Sequence, residues 1–91
     1  MKVYLAGPIS GVPNYKAKFA REREWWEDRG HIVLDPSKLP EGMDQADYMR
    51  ICIAMIQTAD SMQMIEGWEK SSGARLEKAY ADKIGLQTFM P

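Results

Sequence analysis

The chain of 91 residues, 45% of them hydrophobic, fits one small globular domain, residues 1–91, and excludes a disordered chain. A net charge of −1 excludes a general basic field for a nucleic-acid polymer, so any anion must be met by a local site. The single cysteine, Cys52, rules out an internal disulfide, a lone His31 beside it argues against zinc, and no apolar run reaches the roughly 18 residues of a membrane span. The N-terminus lacks a signal-peptide pattern, so a soluble cytoplasmic protein is expected.

In chain order, "KVYLAG" is a short apolar run closed by glycine and predicts a first strand. "PISGVPN" is a loop, and Asn14 is placed to cap the helix "YKAKFAREREWWEDR". Tyr15, Phe19 and Trp26 fall on one stripe of that helix, and Gly30 stops it. "HIVLDP" predicts a second strand, "SKLPEGMD" a loop and "ADYMRICIAMIQTA" a second helix. "SMQMIEG" predicts a third strand, "SSGARLEKAYADKIG" a third helix stopped by Gly85, and "LQTFMP" a short fourth strand.

Strands alternating with helices across short connections specify α/β architecture with a parallel sheet. The expectation is a small doubly wound, Rossmann- or flavodoxin-like sheet of four strands in the order 2-1-3-4, with three helices. Ligands of such sheets bind at the carboxyl ends of the strands, beside the topological switch. Three segments should meet there: the loop Gly7–Pro13, the end of the second strand at Asp35, and the turn Gly67–Gly73.

The second helix leaves almost no polar face across Tyr48, Met49, Ile51, Cys52, Ile53, Ala54, Met55 and Ile56. Either the helix is buried within a thin fold, or a second copy covers its far side. The second alternative predicts a homodimer or larger homo-oligomer.

Several residues could carry chemistry. Ser71, Ser72 and Gly73 stand at the mouth of the third helix, where free amides and the positive end of the dipole favour an anion; plain capping by a serine explains them equally well. Glu77 shares a helix face with Ala74, Ala81 and Ile84. A carboxylate there is costly unless it is paired or wet, or unless the face borders a cleft where it acts as nucleophile or base. Asp60 and Asp35 read as turn residues by position, and Tyr4 as core. Gly7, Pro8 and Gly11 make a loop with approachable backbone, without the spacing of a dinucleotide fingerprint. Trp25, Trp26 and Trp68 offer stacking surfaces, although helix packing accounts for the first two.

In combination, "VYLAGPISG", "TAD" and "GWEKSSGARLEKAYA" resemble the nucleoside 2-deoxyribosyltransferase superfamily, which includes the deoxynucleoside 5′-monophosphate N-hydrolases. The likeness extends to a short, often phage-borne branch described as a domain of unknown function. It implies cleavage or exchange of the N-glycosidic bond of a (deoxy)nucleoside or its 5′-monophosphate, with no metal or redox cofactor; a nucleotide-binding module of the same fold without turnover and a small oligomeric interaction protein are the alternatives. Glu77 is implied as the nucleophile on the anomeric carbon, Asp60 as a contact to sugar or leaving base, and Tyr4 as the nucleophile's neighbour. The loop Gly7, Pro8, Ile9, Ser10 and Gly11 is implied to wrap sugar and phosphate. Ser71, six residues before Glu77, matches the serine with which the monophosphate hydrolases hold phosphate. The family enzymes differ in placing small residues where Lys78 and Ala79 follow here, and they run on past the position of Pro91 with a strand and helix that serve a neighbouring subunit.

Overall fold

In a computed structural model covering residues 1–91, four parallel strands form one sheet: β1 (Lys2–Ala6), β2 (Ile32–Leu34), β3 (Ser61–Met64) and β4 (Gln87–Phe89). Their order is β2-β1-β3-β4, as the alternation of elements predicts. Three helices connect them: α1 (Tyr15–Glu27), α2 (Gln45–Thr58) and α3 (Ser72–Ile84).

The central strand β1 is buried on both faces, which is why "VYLA" reads as a continuous apolar run. Alternate residues serve opposite layers. Val3 and Leu5 pack with Phe19 and Trp26 of α1 and with Ile65. Tyr4 and Ala6 pack with Cys52 and Ile56 of α2, Met62 and Met64 of β3, and Ala81 of α3. The buried polar Gln63 is satisfied: it accepts from the Trp26 indole at 3.3 Å and donates to the Met64 carbonyl at 2.8 Å.

The helices depart from expectation in detail. Asn14 stands at the cap position of α1 without making a side-chain capping bond. Trp25 points outward under the guanidinium of Arg29, 3.6 Å from its ring centroid, so it is surface packing rather than a stacking platform in a cleft. Within α2 only Cys52 and Ile56 are fully buried, and Tyr48, Met49, Ile51, Ile53 and Met55 remain half-covered. In α3 the buried positions are Ala74, Glu77 and Ala81, whereas Ile84, in the last turn, is exposed. Two short 3-10 turns follow β2 and β3: Pro36–Lys38 starts at the proline expected to close the second strand, and Trp68–Lys70 lies in the expected turn Gly67–Gly73. Proline geometry and an aspartate cap induce the first, and Gly67 at φ +90° leads into the second.

Gly7, just past β1, is required by packing. A Cβ there would lie 2.7 Å from the Ile65 Cβ and 3.4 Å from the Phe19 ring. Gly7→Ala is therefore expected to destabilise the fold by about 1–3 kcal/mol through overpacking. Urea unfolding of the variant measures this, and an unchanged midpoint would show that the loop can move aside.

Candidate active site

The carboxyl ends of the strands open into a cavity of about 630 Å³. Each wall follows from the topology. The loop after β1 supplies Gly7, Pro8, Ile9 and Ser10, and the 3-10 turn after β2 supplies Pro36 and Ser37. The turn after β3 and the start of α3 supply Gly67, Lys70, Ser71, Ser72, Gly73 and Ala74. Deeper in lie Tyr4, Cys52 and Glu77.

Glu77 is 8% exposed. The Tyr4 hydroxyl donates to its Oε2 at 3.0 Å. Burial pushes the Glu77 carboxyl up from its ordinary 4.5 to about 7, against hydrogen bonding from Tyr4 and Cys52 that pulls it down. Burial, reinforced by the neighbouring Glu77 charge, holds the Tyr4 hydroxyl well above its usual range, so it remains a donor. Burial likewise keeps Cys52 a thiol. The result is a carboxylate with one oxygen steadied by a phenol, in a largely dry recess, titrating near neutrality. Such a group can act as a nucleophile or a base.

The mouth of α3 lies along the same cavity. Ser71 caps the helix, its Oγ accepting from the Ala74 amide at 3.2 Å. The amides of Ser72 and Gly73 belong to the first turn, where no preceding helical carbonyl reaches them. Capping and anion binding are thus compatible here: the serine oxygen takes one amide, and its own proton stays available to a ligand.

Three expected residues do not line the cavity. Asp60 precedes β3 and so sits at the amino edge of the sheet, about 13 Å from the carboxyl edge at 3.3 Å per residue over four residues. There it accepts from the Lys2 amide at 2.8 Å and faces the Lys2 ammonium at 3.5 Å, joining the starts of β1 and β3. That amide and the Lys2 charge hold its carboxyl below the ordinary range. Asp35 is buried beneath the cavity wall: its Oδ1 accepts from the Ser37 amide at 2.8 Å and hydroxyl at 2.6 Å, and its other oxygen pairs with Arg23. It shapes the wall without lining it. Gly11, in the left-handed region at φ +75°, turns the first loop and is not among the lining residues.

The site also holds residues that sequence reasoning overlooked. Gln45, Tyr48, Met49 and Cys52 of α2 line the cavity. Their spacing of three and four is the stripe of one helix face, hidden because α2 is apolar on nearly every side. Lys18 and Lys70 contribute cations, and Tyr15 and Glu41 complete the rim.

This architecture is that of the nucleoside 2-deoxyribosyltransferase fold. A 2-deoxyribosyltransferase from Leishmania mexicana superposes with a TM-score of 0.78 at 21% identity, covering 98% of this chain and 62% of that one. A 2-deoxyribosyltransferase from Bacillus psychrosaccharolyticus gives 0.77 at 21% identity, over 99% and 71% of the two chains. A conserved protein from Enterococcus faecalis gives 0.70 at 16% identity, over 98% and 61%. The chain thus spans about three-fifths to seven-tenths of the length of these structures. By sequence the chain belongs to the DUF4406 family, a domain of unknown function, which matches residues 1–90. No protein of curated function matches it.

Proposed function

We propose that the protein cleaves or exchanges the N-glycosidic bond of a (deoxy)nucleoside 5′-monophosphate, with Glu77 as the nucleophile. The observation that carries this reading is the buried Glu77 carboxylate, held by Tyr4, in a cavity that also contains the mouth of α3. A carboxylate oxygen attacks C1′ of the sugar. The C1′–N bond breaks, and the base leaves with the bonding pair and gains a proton from solvent. The glycosyl ester on Glu77 is then opened by water, giving hydrolysis, or by a second base, giving exchange; either restores the carboxylate. Tyr4 orients the carboxylate and, as a phenol that keeps its proton, does not serve as the base. The 2-deoxyribosyltransferase neighbours support the class of reaction. Incubation with a panel of nucleosides and nucleotides, followed by chromatography for free base, tests it. Absence of release from every member of the panel would refute catalysis.

The placement of Asp60 on the opposite sheet edge favours a second reading, a nucleotide-binding module without turnover. Binding without base release is its signature. In either case the half-covered apolar residues of α2 support a homo-oligomer, which light scattering at micromolar concentration distinguishes from a 10.4 kDa monomer.

The phosphate is assigned to the amides of Ser72 and Gly73, the Ser71 hydroxyl and the dipole end of α3, with Lys70 beside them. Charge-assisted hydrogen bonds at a helix end, less the cost of desolvation, give a monophosphate roughly 10- to 100-fold tighter binding than its nucleoside. Ser71→Ala is expected to shrink that preference while leaving the affinity for the nucleoside nearly unchanged. Calorimetry with both ligands on both proteins measures this. Equal weakening of the two ligands would reduce Ser71 to a cap.

A further inference from the structure

The segment from Leu39 to Asp44 joins the 3-10 turn after β2 to α2 and forms one side of the cavity, with Leu39 and Glu41 among the lining residues. Its two ends are held differently. At the root, Ser37 is locked by two hydrogen bonds to the buried Asp35, which is itself paired with Arg23. At the tip the ties are exposed, apart from one that is part-buried between Met43 and Tyr48. Glu41 accepts from the Tyr15 hydroxyl at 3.0 Å and faces the Lys16 ammonium at 3.5 Å. Tyr48 donates to the Pro40 carbonyl at 2.5 Å and accepts from the Met43 amide at 3.3 Å. Between these ties Gly42 takes φ +91° with nothing within 4 Å of a Cβ position. Leu39 packs against the cluster that contains Cys52.

We propose that Leu39–Asp44 is a strap that gates the cavity, hinged at the Asp35–Ser37 root and latched at its tip by Glu41 on Tyr15 and Lys16. Exposed hydrogen bonds and ion pairs are weak individually, so such a latch opens often and recloses. The root, satisfied inside the protein, stays in place. Three of the latching groups, Tyr15, Glu41 and Tyr48, also line the cavity, so a ligand that fills it meets the latch directly. The strap controls access whatever reaction the cavity performs, and its test needs no substrate.

Cys52, the only cysteine, is buried among the lining residues and reports on opening. Its alkylation by iodoacetamide, followed by intact-mass spectrometry at fixed pH, proceeds at a rate set by the fraction of open protein. Releasing the latch with Tyr15→Phe combined with Glu41→Gln is expected to speed labelling about 3- to 10-fold, the factor that follows from losing one exposed hydrogen bond and one exposed ion pair. Tyr48→Phe is expected to act in the same direction. Asp82→Asn, which breaks an ion pair with Lys78 on α3, away from the strap, is expected to leave the rate unchanged. Unchanged labelling in the latch variants would overturn the proposal. So would equal acceleration by Asp82→Asn, because Cys52 would then be reached through general loosening. If a latch variant is destabilised, labelling at low urea decides between the two routes. A rate that stays flat marks local opening and supports the strap, and a rate that climbs marks global unfolding and overturns it.

Discussion

Replacing Glu77 by glutamine is expected to lower base release on the order of 10⁴-fold or more while stabilising the folded protein. The loss is large because a missing covalent nucleophile removes a pathway rather than one contact. The amide keeps the size of the side chain and can still accept from Tyr4, so the cavity is preserved. The gain in stability follows from linkage. The folded carboxyl titrates near 7 and the unfolded one near 4.5, so between these values the folded state holds the proton that the unfolded state has released. The stability contributed by this carboxyl is therefore fully present below pH 4.5, falls as pH rises through that window, and levels off above about 7. At about 1.4 kcal/mol per pH unit, the ceiling of the loss is about 3 kcal/mol. Glu77→Gln does not titrate, so at pH 8 it should exceed the wild type by up to that amount, a rise in Tm on the order of 10 °C, and near pH 4.5 the two should match. For the wild type, the proposed role of Glu77 predicts that kcat/KM rises with pH to a plateau above about 7, because attack would need the ionised form. Base release by folded Glu77→Gln at the wild-type rate would remove Glu77 from the chemistry. Parallel stability curves for the two proteins would show that the carboxyl is solvated.

The second large effect concerns Arg23. Its side chain is 19% exposed and pairs with an Asp35 side chain that is 1% exposed. Arg23→Ala leaves that carboxylate buried with only the Ser37 amide and hydroxyl as donors. Removing one member of a buried pair strands the other, and the expected cost is about 3 kcal/mol in urea unfolding. Adding Asp35→Asn should return a large part of it, because a neutral amide tolerates the site. A cost below about 0.5 kcal/mol would show that water reaches the pair. The same change loosens Ser37 at the cavity wall, so binding should weaken along with the fold.

Asp35 illustrates how a correct position can carry an incomplete role. Its place at the end of the second strand, before Pro36, brings it to the carboxyl edge of the sheet, as the sequence suggests. Sequence alone does not show Arg23, on α1 and twelve residues earlier, reaching across to claim the carboxylate. The charge faces inward, and the groups that line the cavity are its neighbours Pro36 and Ser37.

The element order and the 2-1-3-4 sheet were legible in the chain because they follow from local rules: apolar runs closed by glycine or proline, helical stripes, and short connections that force parallel crossovers. Glu77 was legible as well, since a carboxylate on the face of Ala74 and Ala81 breaks a helical pattern that local periodicity exposes. Only the tertiary structure decided which side chains share its recess. Tyr4 and Glu77 are 73 residues apart and meet because β1 and α3 pack on one layer. Cys52 joins them from a helix whose apolar residues conceal the face it uses. Asp60 does not join them, because in a parallel strand the residue before it and the residue after it lie at opposite edges of the sheet. Local spacing records the direction in which a side chain leaves its own element. Which elements surround it at the other end is set by packing across the whole sheet.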